Sequence, residues 1–265
     1  MALELVEPMT VDSSEIRAIL NRDPFWCLYA LGDLDLHEYP FCDWRVKGGP
    51  QQAVVLLYHR FTVPVLFAVG QPADVEALLH ARPIPAKVYL HVRPDVTSIV
   101  RAHFELLETY PMARMIFRGK INSKSNNVHR LTEFDVPRLI KLYAERRVGI
   151  DGGVFFDPIM VRRGCYYGTS ESGHLVAAAG THLVNELEGV AAVGNVFCHP
   201  SHRGKGMGRA VFTAVVKELS DRGISTIGLN VGPDNEAARG LYQSLGFVDY
   251  CIYEEGPATR LMIRG

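Results

Sequence analysis

The sequence predicts a mixed α/β sheet whose pattern is laid out twice in tandem. Three observations carry that expectation. Apolar, β-branched runs of strand length alternate with amphipathic helical stripes through residues 132–255. Two distant stretches repeat one another: "YLHVRPD" (89–95) and "GLNVGPD" (228–234) share leucine, valine, proline and aspartate at one spacing, and a constant offset of 139 carries Val92 to Val231 and Leu106 to Leu245. The polar stretch "GKINSKSNN" (119–127) separates two longer patterned halves and reads as a linker.

The beginnings of the halves match too. "MTVDSSEIRAIL" and "LTEFDVPRLIKLY" each read as a polar cap followed by a helix with one apolar stripe, and an offset of 123 pairs Asp12 with Asp135. Offsets of 139 at the ends and 123 at the beginnings place extra residues in the middle of the second copy. The expected domains are 1–118, a linker at 119–127, and 128–265.

The elements follow in order. In the first half "FAVGQPADVEALLHA" is a strand end and a helix entered through Pro72 and Asp74, and "KVYLHV" is the next strand, with a helical run after its turn. In the second half residues 132–146 read as a helix, and "GVFFDPIMVRRG" as irregular with a short helix. "CYYGTSES" and "HLVAAAGTHLVN" form a hairpin around Ser172–Gly173, and "GVAAVGNVFCHP" is a third, apolar strand. A helix from Met207 to Arg222, the strand "STIGLNV" and the helix "NEAARGLYQSLGF" come next, with Gly246 as the left-handed terminator, and "DYCIYEEG" closes with a strand.

Composition bounds the function. The 265 residues carry a formal net charge of −1 and pI ≈ 6.8, which argues against nucleic acid or an anionic membrane as the main partner. No apolar run approaches the ~18 residues of a membrane span, and the acidic start "MALELVEPMTVDSSEI" does not read as a signal peptide. Five widely spaced cysteines, Cys27, Cys42, Cys165, Cys198 and Cys251, lack CxxC spacing, so free thiols in a reducing cytoplasm are expected, without zinc. Oligomeric state is left unassigned.

The chemistry concentrates in "HPSHRGKGMGRAVF" (199–212), where a strand passes through a tight glycine loop into a helix. Such a junction presents unpaired N–H groups and the positive helix end, an anion site for which phosphate is the usual occupant. Gly206 and Gly208 remove side chains there, and Arg203, Lys205 and Arg209 add charge. The P-loop pattern GxxxxGK[ST] is absent, because Lys205 precedes the last glycine and no Ser or Thr follows it. "GKGMG" also misses the GxGxxG dinucleotide spacing.

Arg203, Gly206 and Gly208 fill R-x-x-G-x-G, and "NEAARGLYQSLGF" follows about thirty residues on. Over roughly residues 128–255 this combination resembles the GNAT superfamily of acyl-CoA-dependent N-acyltransferases. The resemblance implies two tandem GNAT-like domains, the amino-terminal one degenerate, and acetyl-CoA as co-substrate with no metal. The pyrophosphate would lie on the backbone N–H groups of Gly204, Lys205, Gly206, Met207, Gly208 and Arg209, beside Arg203. Each favourable charge at a helix end is worth about 0.3–2 kcal/mol. Val196, Phe197 and Cys198 would pair with the pantetheine arm where family members splay their central strands, and Asn235 would cap its helix near that arm.

The implied reaction is attack of a neutral amine on a thioester. Deprotonating a lysine-like amine of pKa ~10.4 at pH 7 costs roughly 4.6 kcal/mol, so a base or water chain is needed. A backbone N–H near Phe197 or Cys198 would meet the oxyanion, and Tyr242 matches the family tyrosine that faces the sulfur. Proton transfer from a phenol (~10) to a thiolate (~8.5) is uphill by roughly 2 kcal/mol, so Tyr242 is read as a hydrogen-bond donor or proton relay. The strand carboxylates of some relatives are missing: Val190–Cys198 has none, and Asn230 stands at the second position. Glu186, Glu188, His182, His199, Asp151 and Asp157 remain as base candidates, with a water relay as the default.

Phe155, Phe156 and Met160 would wall the acceptor site, and Glu145, Asp151 and Asp157 would attract an ammonium. A small-molecule amine is the expected acceptor. A non-catalytic acyl-CoA sensor and a tandem aminoacyl transferase are the rivals; the net charge of −1 speaks against tRNA. In the first half the corresponding helix entrance has Pro72 and Asp74, so one CoA per chain is expected, and removal of residues 1–118 is expected to spare its site.

Overall fold

The computed structural model describes residues 12–49, 52–121, 127–146 and 155–261. In chain order the elements are α1 (Ser13–Leu20), α2 (Leu28–Gly32), β1 (Cys42–Lys47), β2 (Ala53–Tyr58), β3 (Val65–Gly70), α3 (Pro72–His80), β4 (Lys87–Val92), α4 (Pro94–His103), β5 (Phe104–Leu106), β6 (Tyr110–Phe117) and β7 (His129–Arg130). They continue with α5 (Val136–Ala144), α6 (Ile159–Arg163), β8 (Tyr166–Glu171), β9 (His174–Asn185), β10 (Val190–Cys198), α7 (Met207–Asp221), β11 (Thr226–Val231), α8 (Glu236–Ser244) and β12 (Phe247–Arg260).

The chain divides into two compact units. The first takes Met1–Asp23, Leu36–Thr109 and Glu254–Gly265; the second takes Pro24–Asp35 and Tyr110–Tyr253. The units therefore differ from the contiguous halves 1–118 and 128–265. Strand pairing is long-range, so each unit is assembled from separate segments of the chain.

In the first unit β1, β2 and β3 are antiparallel neighbours, and α3 crosses to β4, which runs parallel to β3. Residues Glu254–Thr259 of β12 pair antiparallel with the other edge of β4. Its core includes Val55, Leu57, Leu66, Val75, Leu90 and Val96. Only Gln71 separates β3 from α3. Gly70 at φ 131 fits there because a Cβ would lie 2.6 Å from Ala53 Cα. Asp74, buried in the first turn of α3, forms an ion pair with Lys47.

The second unit repeats the order. β8, β9 and β10 are antiparallel, α7 crosses to β11 parallel to β10, and β6 pairs antiparallel with the other edge of β11. The β8–β9 turn holds Ser172 at φ 50 and Gly173 at φ 81, the left-handed pair that a two-residue hairpin favours. One stripe of α7, Val211, Phe212, Val215, Val216 and Leu219, is fully buried on the small residues Ala177, Ala179, Ala191 and Val193 of β9 and β10. Each such large side chain contributes about 1.5–3 kcal/mol over exposure.

Two elements differ from the sequence reading. α5 starts at Val136, because Thr132 and Asp135 close a capping box over the tight turn Glu133–Asp135. β12 runs beyond "DYCIYEEG" to Arg260, where its end pairs with β4 and β5. All five cysteines are free thiols, and no helix among the described residues is long and apolar enough to cross a membrane.

Candidate functional site

The second unit opens between its two parallel strands. β10 and β11 are bonded from Val190↔Thr226 to Val193↔Leu229, where their register ends. β11 stays with β6 through Asn230 and Val231, while β10 stays with β9 through a bulge between Gly194 and Phe197. A bulge bends its strand and increases local twist. Asn195 adopts φ 52, a left-handed conformation that asparagine tolerates better than most residues. Its carbonyl accepts a hydrogen bond from the Tyr143 hydroxyl at 2.8 Å, and its Nδ2 donates to the Tyr166 hydroxyl at 2.9 Å. Burial pushes both phenols up, so they remain neutral hydrogen-bonding groups.

Past the bulge the side chains alternate. Val196 and Cys198 pack toward α7, and Phe197 joins the cluster of Leu139, Leu142 and Ala178 beneath α5. Burial raises the Cys198 thiol, opposed by Arg203 and the Gly208 N–H. The strand exits through His199, whose Nδ1 accepts from the Ser201 N–H and caps the turn Pro200–His202.

The glycine loop then takes the shape an anion requires. Gly204 and Gly206 sit at φ 76 and 77, and a Cβ on either would meet nothing within 4 Å. Gly206 is the N-cap of α7 and supplies no side-chain capping bond; the Gly208 N–H reaches the Cys198 sulfur, and the N–H groups of Met207 and Arg209 face the loop. Arg203 donates from Nε to the Cys198 carbonyl at 3.2 Å and lies over the Phe197 ring at 5.9 Å. Lys205 is exposed. Arg209 turns to the end of α8, donating to Ser244 Oγ at 2.6 Å. The open glycine loop could hold an anion, and the edge of β10 beyond Val193 could receive an extended chain.

Across the opening, Asn235 caps α8 by accepting from the Ala238 N–H at 3.2 Å. Tyr242 on α8 is 7% exposed, with its ring 4.8 Å from that of Phe212; burial pushes its phenol well up.

The base candidates are dispersed. Glu186 and Glu188 occupy the β9–β10 turn, at the opposite end of the nine-residue β10 from the loop, and Glu186 is ion-paired to Arg222. Asp157 accepts from the Ile159 N–H at 2.8 Å at the start of α6. Asp151 lies outside the described residues. Among the described candidates His182 is brought to the bulge: a Cβ on Gly194 would lie 2.2 Å from its Nε2. Tyr29 OH and His182 Nδ1 are 2.9 Å apart. His182 Nε2 and Asn195 Oδ1 are both buried, and the Asn195 side chain acts on the ring as a hydrogen-bond acceptor. Burial lowers the His182 pKa to about 4, with Asn195 acting in the other direction, so the ring is neutral at pH 7. Of the expected acceptor wall, Phe156 packs 5.2 Å from Tyr143, Tyr166 OH lies 3.7 Å from the Met160 sulfur, and Phe155 is exposed.

Sequence reasoning missed Tyr29, Arg114, Tyr143, Tyr166 and Asn195. Arg114 is fully buried; its Nε donates to Asn230 Oδ1 at 2.6 Å and its Nη1 to the Phe25 and Trp26 carbonyls. The strand position that carries a carboxylate in some relatives thus holds an asparagine engaged by a cation. One local signal existed, the "GNV" within a strand, since Gly–Asn marks a bulge.

A strand that parts from its parallel neighbour and ends in a glycine loop is the arrangement that the resemblance implies. Residues 129–247 match the family model described as the Acetyltransferase (GNAT) family. The chain is 36% identical to the [Ribosomal protein bS18]-alanine N-acetyltransferase of Escherichia coli, over 31% of this chain and 54% of that one. It is 41% identical to the mycothiol acetyltransferase of Paenarthrobacter aurescens, over 26% and 23%. The chain thus spans about half the length of the first curated relatives it matches. A GNAT-family structure from Novosphingobium aromaticivorans shares the fold with a TM-score of 0.59 at 20% identity, covering 87% of this chain and 96% of that one.

Proposed function

We propose that the protein is an acetyl-CoA-dependent N-acetyltransferase acting on the primary amine of a small molecule. The observation that carries this reading is the uncapped start of α7, with Gly204 and Gly206 left-handed and open, at the mouth of the parted strands β10 and β11. Acetyl-CoA would supply the thioester and the leaving thiolate. The N–H groups of the 204–209 loop would hold the pyrophosphate, with Arg203 and Lys205 adding charge; Arg209 would act through its backbone, since its guanidinium is engaged by Ser244. The unpaired edge of Val196–Cys198 would receive the pantetheine arm, with Asn235 across from it.

Tyr242 would donate a hydrogen bond to the departing sulfur. Burial holds its proton too firmly for full transfer, so the proton would come from the amine. His182 Nε2 and Asn195 Oδ1, which face one another at the bulge, would hold the amine or a relay water. Arg114 behind Asn230 favours a neutral amine over an ammonium there.

The relatives' names cover a protein alanine and mycothiol. The partly apolar surroundings of the opening, Phe156 and Met160 among them, support the small-molecule choice. The amino-terminal unit would be a degenerate copy, its β3–α3 connection reduced to Gln71 and closed by Gly70, Pro72 and Asp74. A thiol-release assay with amino acids, polyamines, amino sugars and peptides tests the reading. Turnover on peptides alone would replace the small-molecule acceptor, and CoA binding without turnover on any amine would favour a sensor.

A further inference from the structure

The first unit holds a group of metal-ligating side chains that acetyl transfer does not use. Glu76 and His80 stand four residues apart on α3, hence on one helix face. His103 is the last residue of α4. A carboxylate oxygen of Glu76 and one ring nitrogen from each histidine all lie within 4.8 Å of one another. The two imidazoles meet edge to face, with centroids 4.6 Å apart at 67°. His103 Nε2 is buried and has no hydrogen-bond partner, a condition that native interiors rarely leave unexplained.

A tetrahedral ion with bonds of about 2.0–2.2 Å sets its ligand atoms roughly 3.3 Å apart. Glu76 and His80 are exposed, so modest side-chain rotation closes the remaining gap without moving either helix. Two imidazoles and one carboxylate suit zinc and its divalent first-row neighbours, whereas magnesium and calcium require mostly oxygen ligands. The other histidine group, in the second unit, is already closed on itself: His202 contacts Glu171 through Nε2 at 2.5 Å and Ser201 through Nδ1 at 2.8 Å.

We propose that Glu76, His80 and His103 form a binding site for a divalent transition-metal ion of the zinc type, with three protein ligands and a fourth position open to water. The ion ties the end of α3 to the end of α4 and so stabilises the first unit; the site is separate from the acetyl-transfer reading and does not depend on it.

The test uses the full chain without an affinity tag, stripped with a chelator. Zn²⁺ is titrated in competition with a chromophoric chelator, Co²⁺ is followed by visible absorption, and thermal unfolding is compared with and without Zn²⁺. The expected result is one ion per chain, a tetrahedral Co²⁺ spectrum and a raised midpoint. Glu76→Gln and His80→Gln, both at exposed helix positions and checked for folding by circular dichroism, should each weaken binding by about tenfold or more. His202→Gln should leave it unchanged. Absence of binding, equal affinity in the two α3 variants and wild type, or loss of binding in His202→Gln instead would each overturn the site.

Discussion

Gly206 concentrates the loop assignment in one dihedral angle. At φ 77 it admits a side chain only with strain, although nothing lies within 4 Å of a Cβ there. Gly206→Ala should therefore cost about 1–2 kcal/mol of stability, while Gly206→Glu adds a carboxylate where the phosphate would sit. Calorimetric titration with CoA should show a loss of roughly tenfold or more for Gly206→Glu and for Arg203→Ala; unchanged affinity in both would remove the loop from the site. Tyr242→Phe keeps the ring against Phe212 and deletes the hydroxyl. It should lower kcat by about a hundredfold with acetyl-CoA affinity nearly unchanged, and a full-rate variant would reduce Tyr242 to packing. His182 sets a pH dependence. Its pKa is about 4 in the folded chain against 6.5 for the ordinary side chain, so between these values the unfolded state binds more protons. Stability should then fall as pH drops from about 6.5 to about 4, by on the order of 3 kcal/mol from this group. Denaturant unfolding at both ends of that window should show a smaller loss in His182→Gln than in wild type. An equal loss would contradict the assignment.

At the scale of elements, the bulge of β10 is the part on which the opening depends. Asn195→Ala would keep a strained φ and leave the buried Tyr166 hydroxyl without its donor, costing about 2–4 kcal/mol. It should also lower kcat, because the bulge sets how β10 leaves β11. Urea unfolding and steady-state rates check both effects, and a variant with wild-type stability and rate would show that the bulge is set elsewhere. The features that act locally were legible in the sequence. The apolar stripe of α7, the Ser172–Gly173 hairpin, the Asn235 cap and the glycine loop each follow from residues within a few positions of one another. The pairs that complete the site were not: Tyr29 and His182 are 153 residues apart, and Arg114 and Asn230 are 116. No local propensity encodes such pairs; they exist only once strands have found their neighbours.

For the whole molecule, the segments that build each unit decide what a truncation does. Removing residues 1–118 would take β6 from the edge of β11 and Pro24–Asp35 from the second unit, which argues against the CoA site surviving that cut. It also removes Arg114 and Tyr29, the partners of Asn230 and His182. The truncated chain should be unfolded by circular dichroism and should not bind CoA. The stoichiometry has to be read on the full chain instead. Both units run three antiparallel strands, a crossover helix and a parallel strand, so an intact anion site in each would bind two CoA molecules. The first unit lacks the means. Gln71 is its whole β3–α3 connection, Pro72 has no N–H to offer, and the buried Asp74 carboxylate, paired with Lys47, already occupies the first turn of α3. The second unit has eight residues, 199–206, over the same junction, two of them glycines at left-handed φ. Equilibrium titration should give one CoA per chain, and a chain carrying Arg203→Ala, Gly206→Glu and Gly208→Glu together should bind none. Two CoA per chain, or a site that survives the triple variant, would place the anion site somewhere other than the start of α7.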